Sequence, residues 1–452
     1  MRSVRSQRRV LDLVDARAAA AFGGLEYANQ AVDTAGEPTS VSLVIGSVSS
    51  FDSETQHAVV PLDRTALDRR GVVVWPRPEA APDRAVPLSE VLPTRGRLRS
   101  WPTTETGLEA WRRILGAFAR VRQVDLDGSG ELDEISSAQV VLHLVASGVL
   151  VRGVDRAHPA LQFLDPGLVA EIVDPGGPAT DDPLEWAAAV TRQMRRAWLG
   201  HDLELTWSPD EGRVGTEPRR TPTVSVILVS RRPELIDAAL RRVAAQVGID
   251  AEVVVGLHHQ SAGAVDAAAS SLSSLGLTGQ VLRIVPAVPF GAALNLTVQR
   301  SSGQVITKWD DDDLYGPHHL EDLVVAMRRS GADMVGKAAE FIHFADSGET
   351  AHRGFGGAGS DSTFIAGGTL TMSRHVFDSV GGFPPTPRFV DHHLKQRFLK
   401  AGLRVYRTHG FGFALVRGRD DHTWGVSTED LRKTADRTFV GFPTIIDLGD
   451  DL

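Results

Sequence analysis

Short apolar runs recur through the second half of the chain: TVSVILVS from Thr223, AEVVVGL from Ala251, QVLRIVPA from Gln280 and QVITKW from Gln304. Each is rich in aliphatic and β-branched residues and bounded by polar or glycine positions, the pattern of a strand buried on both faces. Between them apolar residues fall at helical spacing. RRPELIDAALRRVAAQ carries Pro233 in its first turn, where the missing N–H costs nothing. Strands alternating with helices predict an α/β domain with a mostly parallel sheet covered on both faces. Ligands of such sheets bind beyond the carboxyl ends of the strands.

The first half is more mixed. SVSLVIGSV from Ser40, GVVVWP from Gly71, VLVRGV and LVAEIVD have strand character, while GLEAWRRILGAFARVRQ and PLEWAAAVTRQMRRAWLG have helical spacing. This predicts a smaller α/β region over 1–207. SPDEGRVGTEPRRTPT, polar and without periodicity, reads as a linker over 208–222. The second domain then spans 223–435, with a C-terminal tail over 436–452.

Length and charge sharpen this outline. A chain of 452 residues with 42% hydrophobic and 23% charged residues is an ordinary globular protein of two or three domains. A net charge of −9 argues against nucleic acid as a partner, and the absence of cysteine excludes disulfides and thiolate chemistry. Asp12, Asp15 and Arg17 interrupt what would be the apolar part of a signal peptide, and no uncharged apolar run is long enough to span a membrane. A cytoplasmic protein is expected. Its arginine-rich start offers peripheral contact with an anionic inner membrane face, although a solvated helix end explains the arginines more simply.

DLDGSGELDEIS, Asp125 to Ser136, has the beginning of an EF-hand loop, with Asp125, Asp127, Ser129 and Gly130 in place. Ser136 stands where a bidentate Glu belongs, so tight calcium binding is not expected and a helix-capping turn is the plainer reading.

KWDDDDLYGP, from Lys308, raises the chemical question. Two like charges about 5 Å apart repel by roughly 3 kcal/mol at an effective dielectric near 20, so four adjacent carboxylates at a strand end call for something positive. In extended chain Asp310 and Asp312 point one way, Asp311 and Asp313 the other. An Asp-x-Asp pair can share one hard divalent cation, Mg2+ or Mn2+, which can also hold a diphosphate. A charged surface turn is the alternative.

VSVILVSRRPELIDAALRRVAAQ, FGAALNLTVQRSSGQVITKWDDDDLYGPHHLEDL, FIAGGTLTMSRHVFDSVGGFP and VDHHLKQRFLKAGLRVY follow one another in that order. The series resembles the family 2 glycosyltransferases of the GT-A fold, over roughly Thr223 to Trp424. The resemblance implies a nucleotide-sugar donor, a hydroxyl acceptor on a glycan or glycoconjugate, and a metal. By matching position it assigns Asp310 and Asp311 to the donor, with Ser230 at the end of the first strand and Asn295 in the donor-side segment. It assigns Asp310, Asp312 and His422 to the metal, and Gly367, Gly368 and Thr369 to the acceptor side. Asp391 matches the general base. From Ser137, SAQVVLHLVASGVLVRGVDRAHPALQFL faintly resembles a piece of the GT-B type glycosyltransferases, without their donor contacts.

Two positions depart from the family pattern. The second strand ends in Gly256, Leu257 and His258 where an Asp that reads the nucleobase is usual, which leaves uridine as the default nucleoside. Val390 replaces the Glu that often precedes the base. The expected activity is inverting, metal-dependent sugar transfer. The rivals are a sugar nucleotidyltransferase, for which VSRRPEL lacks a glycine-rich phosphate loop, a glycosidase pairing Asp310 with Asp391, and a non-catalytic carbohydrate-binding protein.

Overall fold

The computed structural model describes residues 86–87, 123–125, 134–152, 154–173, 182–208, 213–218, 220–258, 260–356, 358–418 and 427–449. They fall into two compact units that divide at Arg220.

In the first unit, β1 (Val86–Pro87), β2 (Gln123–Asp125) and β3 (Leu150–Arg152) form a parallel sheet. Helices α1 (Glu134–Ala146), α2 (Pro166–Val173) and α3 (Pro183–His201) accompany it. The Gln193 side chain ties α3 to β3, accepting from Val151 N at 3.1 Å and donating to Val151 O at 2.7 Å. LVAEIVD, expected as a strand, is instead helix α2. Pro166 opens it, the Asp165 carboxylate accepts from Leu168 N at 3.0 Å, and Leu168 and Ile172 are buried one helical turn apart. Local capping and a four-residue period thus outweigh β propensity.

Asp125, the first residue of the calcium-loop sequence, ends β2. The loop itself, the Ser136 side chain and the expected strands from Ser40 and Gly71 lie outside the described residues. The expected linker also needs correction. Strand β4 (Leu203–Ser208) pairs with β5 (Arg213–Pro218) in an antiparallel hairpin, so half of 208–222 is ladder. Gly215 among charged neighbours concealed it.

The second unit opens with β6 (Val224–Ser230), α4 (Pro233–Ala244), β7 (Ala251–His258), α5 (Ala262–Ser274), β8 (Thr278–Ile284), α6 (Phe290–Gln299) and β9 (Val305–Trp309). It continues through β10 (Leu314–Tyr315), α7 (His319–Ser330), β11 (Met334–Lys337), β12 (Phe341–Phe344), β13 (Glu349–His352), β14 (Ser360–Asp361), β15 (Thr371–Ser373) and α8 (Arg374–Ser379). Last come α9 (Val390–Lys400), β16 (Val405–Thr408), β17 (Phe413–Arg417), α10 (Thr428–Lys433) and β18 (Arg437–Val440). An eight-stranded sheet has the order β14-β16-β11-β15-β9-β6-β7-β8, with β9, β6, β7 and β8 all parallel. The expected α/β class and mostly parallel sheet are present.

Every residue of β6 is buried, because both faces are covered. Val226 and Leu228 face a core with Leu240 of α4, Leu272 of α5 and Val324 of α7. Ile227 and Val229 face the opposite core, with Leu294 of α6, Phe377 of α8 and Phe398 of α9. A second sheet, β10-β17-β12-β13-β18, packs within this unit. It absorbs the expected tail: β18 pairs with β13, Ile446 is fully buried, and Gly412 N donates to Ile446 O at 2.6 Å. No helix among the described residues is long and apolar enough to cross a membrane.

Candidate active site

The four carboxylates follow β9 and alternate in exposure: Asp311 and Asp313 are buried, Asp310 and Asp312 partly open. The protein supplies two cations of its own. Lys308, buried in β9, places Nζ 2.6 Å from Asp310 Oδ1 and 3.4 Å from Asp391 Oδ2. Burial works to lower the lysine pKa, and the charges of Asp310 and Asp391 outweigh it, so the ammonium is held above its ordinary range. Arg232, next to α4, pairs with Asp311 and reaches Asp312 Oδ2 at 2.8 Å. Neither cation was identified from sequence. Lys308 left one signal, a charge inside an apolar strand, where lysine is almost never buried unless paired.

The buried half of the cluster is a structural anchor. Asp311 accepts from the Ser230 hydroxyl and from Arg232 Nε at 3.2 Å, while Ser230 Oγ accepts from Arg232 N at 2.8 Å. Burial pushes Asp311 up, against the pull of Ser230 and Arg232. Burial and the charges of Asp310 and Asp312 push Asp313 up strongly, and its Oδ1 accepts from Val416 N at 3.1 Å. Asp311, expected on the donor side, holds the β6 end in place, and its side chain is only 6% exposed.

Gly367 and Gly368 meet the cluster. A Cβ at Gly367 would clash with Asp391 Oδ2, and one at Gly368 would lie 2.6 Å from Tyr315 Oη and 2.9 Å from Asp310 Oδ2. Only glycine lets this backbone approach so closely. Tyr315 clasps the two segments, accepting from Asp310 N at 2.9 Å and donating to Gly368 O at 3.0 Å. Thr369 is fully buried; its hydroxyl accepts from Lys337 N at 2.9 Å and donates to Ala366 O at 2.9 Å, which shapes the segment.

Asp391 lies in the first turn of α9, capped backbone-first by Phe389 without a side-chain bond. Helix capping is therefore not its role. Its side chain is 29% exposed, while Oδ1 is closed off and lacks a hydrogen-bond partner among the described residues. That leaves Oδ2 as the oxygen a solute reaches. Burial raises its pKa, Lys308 opposes, and Asp310 adds to the rise. Val390, before it, is buried in the core against Gly291.

Asn295 does not reach this site. Its amide clasps Phe383, donating to the carbonyl at 2.8 Å and accepting from the N–H at 2.9 Å, which pins α6 to the Gly381–Gly382 turn. At the end of β7, Gly256 is packed beneath Ile284 and Thr297, and the His258 ring bonds to Val288 O at 2.7 Å. His422 lies outside the described residues.

Among the described residues no group of three or more His, Asp or Glu is arranged to hold a metal. Mg2+ or Mn2+ bound with phosphates needs only one or two carboxylates, the remaining positions going to water and phosphate oxygen. The partly exposed oxygens of Asp310 and Asp312 fit that requirement.

Residues 225–380 match the model of glycosyl transferase family 2. No curated protein matches the chain. Similar solved structures include a mannosyltransferase from Pyrobaculum calidifontis in complex with GDP-Man and Mn2+, with a TM-score of 0.38 and 16% identity over 51% of this chain. Another is S. aureus TarS 1-349 in complex with UDP-GlcNAc, with a TM-score of 0.38 and 16% identity over 47% of this chain. The matches cover 64% of each of those chains.

Proposed function

We infer that the family 2 glycosyltransferase domain in the C-terminal half transfers a sugar from a nucleotide-diphosphate sugar to an acceptor hydroxyl, with inversion. The donor is UDP-linked by default, and a divalent cation assists. One observation carries this reading: a single buried ammonium, Lys308 Nζ, joins the donor-side Asp310 to Asp391 across a glycine pair.

Asp391 Oδ2 takes the proton of the acceptor hydroxyl as the new oxygen–carbon bond forms. The bond between the sugar carbon and the diphosphate oxygen breaks in the same displacement, and its electrons leave with the nucleoside diphosphate. A raised carboxylate pKa suits a base near neutral pH. Mg2+ or Mn2+ on Asp310 and Asp312 would neutralise the charge of the departing diphosphate. Gly367 and Gly368 let the backbone close against Asp391 and Asp310. A cytoplasmic chain touching the inner membrane face through its arginine-rich start accords with this reading.

The test is thermal unfolding with a panel of UDP-, GDP- and dTDP-sugars, with and without MnCl2. A ligand at 100 times its Kd stabilises by about 2.7 kcal/mol, enough to move Tm by several degrees. The expected shift requires donor and metal together. Asp312→Ala abolishes it, while Asp311→Ala lowers the baseline Tm and leaves the shift. No shift with any donor, or equal loss in both variants, overturns the assignment.

A further inference from the structure

Two arginines near the glycine pair lack the partners that buried guanidinium groups ordinarily have. Arg353, just after β13, is 8% exposed, and Arg407 of β16 is 5% exposed. Neither forms an ion pair among the described residues. Nε and Nη1 of Arg353, and Nε of Arg407, are buried without a hydrogen bond. Leaving a buried charge uncompensated costs several kcal/mol, so a molecule keeps such a group mainly where a partner arrives.

Aromatic rings bracket them. The Arg353 guanidinium lies 4.4 Å over Phe355 and that of Arg407 lies 5.9 Å over Phe364, while the two rings meet edge to face at 4.8 Å. Phe364 is half exposed. The neighbouring carboxylates do not neutralise the pair. Asp436 accepts from Gly354 N at 2.8 Å and bonds His352 at 2.7 Å, and Asp361 pairs with Arg404 at 2.8 Å. Glu340 accepts from Gly410 N at 3.1 Å, and burial raises its pKa to about 7, against the charge of Arg407, so much of it is neutral near that pH.

The position points to the acceptor. Phe364 lies three residues before Gly367, and the intervening carbonyl of Ile365 accepts from Lys395 Nζ at 3.0 Å. Lys395 is one turn beyond Asp391 on α9. The platform therefore adjoins the base side of the site, whereas the donor's diphosphate belongs beside Asp310 and Asp312.

We propose that Arg353, Arg407, Phe355 and Phe364 form an acceptor subsite that binds the anionic group, carboxylate or phosphate, of a charged glycan. This rests on the glycosyltransferase reading for the word acceptor alone. The guanidinium fork matches both oxyanions in two-point geometry, and Phe364 offers an apolar face to the adjoining sugar ring.

The experiment is calorimetry on the full chain with a polygalacturonate oligomer, a glycerol-phosphate oligomer and a neutral malto-oligosaccharide. One anionic oligomer binds, identifying the carboxylate or the phosphate source, and the neutral one does not. Arg353→Gln and Arg407→Gln each weaken that binding at least about tenfold, the loss of one charge-assisted hydrogen bond or more. Arg353→Lys, which keeps charge without the fork, is also weaker than the parent. Phe364→Ser, at a half-exposed position, weakens binding too and serves if an arginine variant fails to fold. Parent-like binding by these variants, or no binding of either anionic oligomer, overturns the subsite. Donor-and-manganese thermal shifts run in parallel separate the two readings. Arginine-dependent glycan binding without any donor shift sinks the transferase and leaves a charged-glycan binding site.

Discussion

Lys308 and Lys337 are both buried lysines of the eight-stranded sheet, in β9 and β11 with only β15 between them. Their partners differ. Lys337 Nζ bonds Asp322 Oδ2 at 2.8 Å and the Phe411 carbonyl, with the lysine and aspartate side chains 0% and 1% exposed. Lys308 bonds Asp310 and Asp391, which are 34% and 29% exposed. The first pair is closed on all sides and can only hold elements together: Asp322 lies on α7, and Phe411 precedes β17 of the second sheet. The second presents its carboxylates to solvent, where a substrate can use them. Burial of the partner, more than burial of the lysine, separates scaffold from site.

The largest effect expected on the open side is at Asp391. Asp391→Asn keeps the shape of the side chain but cannot accept a proton, so transfer should fall by about 10²–10⁴-fold. Donor affinity by calorimetry should hold, because the loss falls on the chemical step and on kcat. Near-parent turnover would move the base elsewhere and reduce the open cluster to a binding surface.

On the closed side the response should be stability. Lys337→Met leaves Asp322 buried without its ammonium, a loss of about 3–5 kcal/mol in denaturant unfolding. Lys308→Met should cost less, since Asp310 and Asp391 can turn to water, yet it should suppress transfer in a protein that still folds. Equal stability losses in the two variants would erase the distinction.

The sequence exposed these regions unequally, for physical reasons. β6 to β9 were legible because strands covered on both faces are continuous apolar runs. The second sheet was not, because strands such as Glu349–His352 and Arg437–Val440 mix charges with apolar residues and find partners far along the chain. Within the candidate site, resemblance singled out Asp310, Asp312, Asp391 and the glycine pair, and the structure brings Asp310, Asp391 and the glycines together around Lys308. Arg232, Tyr315 and Lys308 were missed, since their roles depend on contacts between segments that no local pattern encodes. The clasps made by Asn295 and Thr369 were hidden for the same reason: their hydrogen bonds run to the backbone of Phe383 and Lys337.

Glu340 lies between the closed cluster and the two unpartnered arginines, and it should give the smallest and most diagnostic signal. Its carboxyl is raised from the ordinary 4.5 to about 7, mainly by burial. In the unfolded chain it ionises near 4.5, so between the two values the folded state holds the extra proton. Stability contributed by this group is therefore fully present below about 4.5 and is lost as pH rises towards about 7. At about 1.4 kcal/mol per unit the ceiling is roughly 3 kcal/mol, and partial exposure brings the effect below it. Glu340→Gln removes the titration, so the variant should lose less stability than the parent across that interval in urea unfolding at a series of pH values. The charged-glycan subsite predicts a second difference. Neutralising Glu340 leaves Arg407 without its nearest opposing charge, so the anionic oligomer should bind the variant more tightly at pH 8, where the parent carboxylate is ionised, and about equally at pH 6. An identical pH dependence in parent and variant would show that Glu340 is ionised throughout, that Arg407 is already paired, and that the arginines belong to the closed side of the comparison.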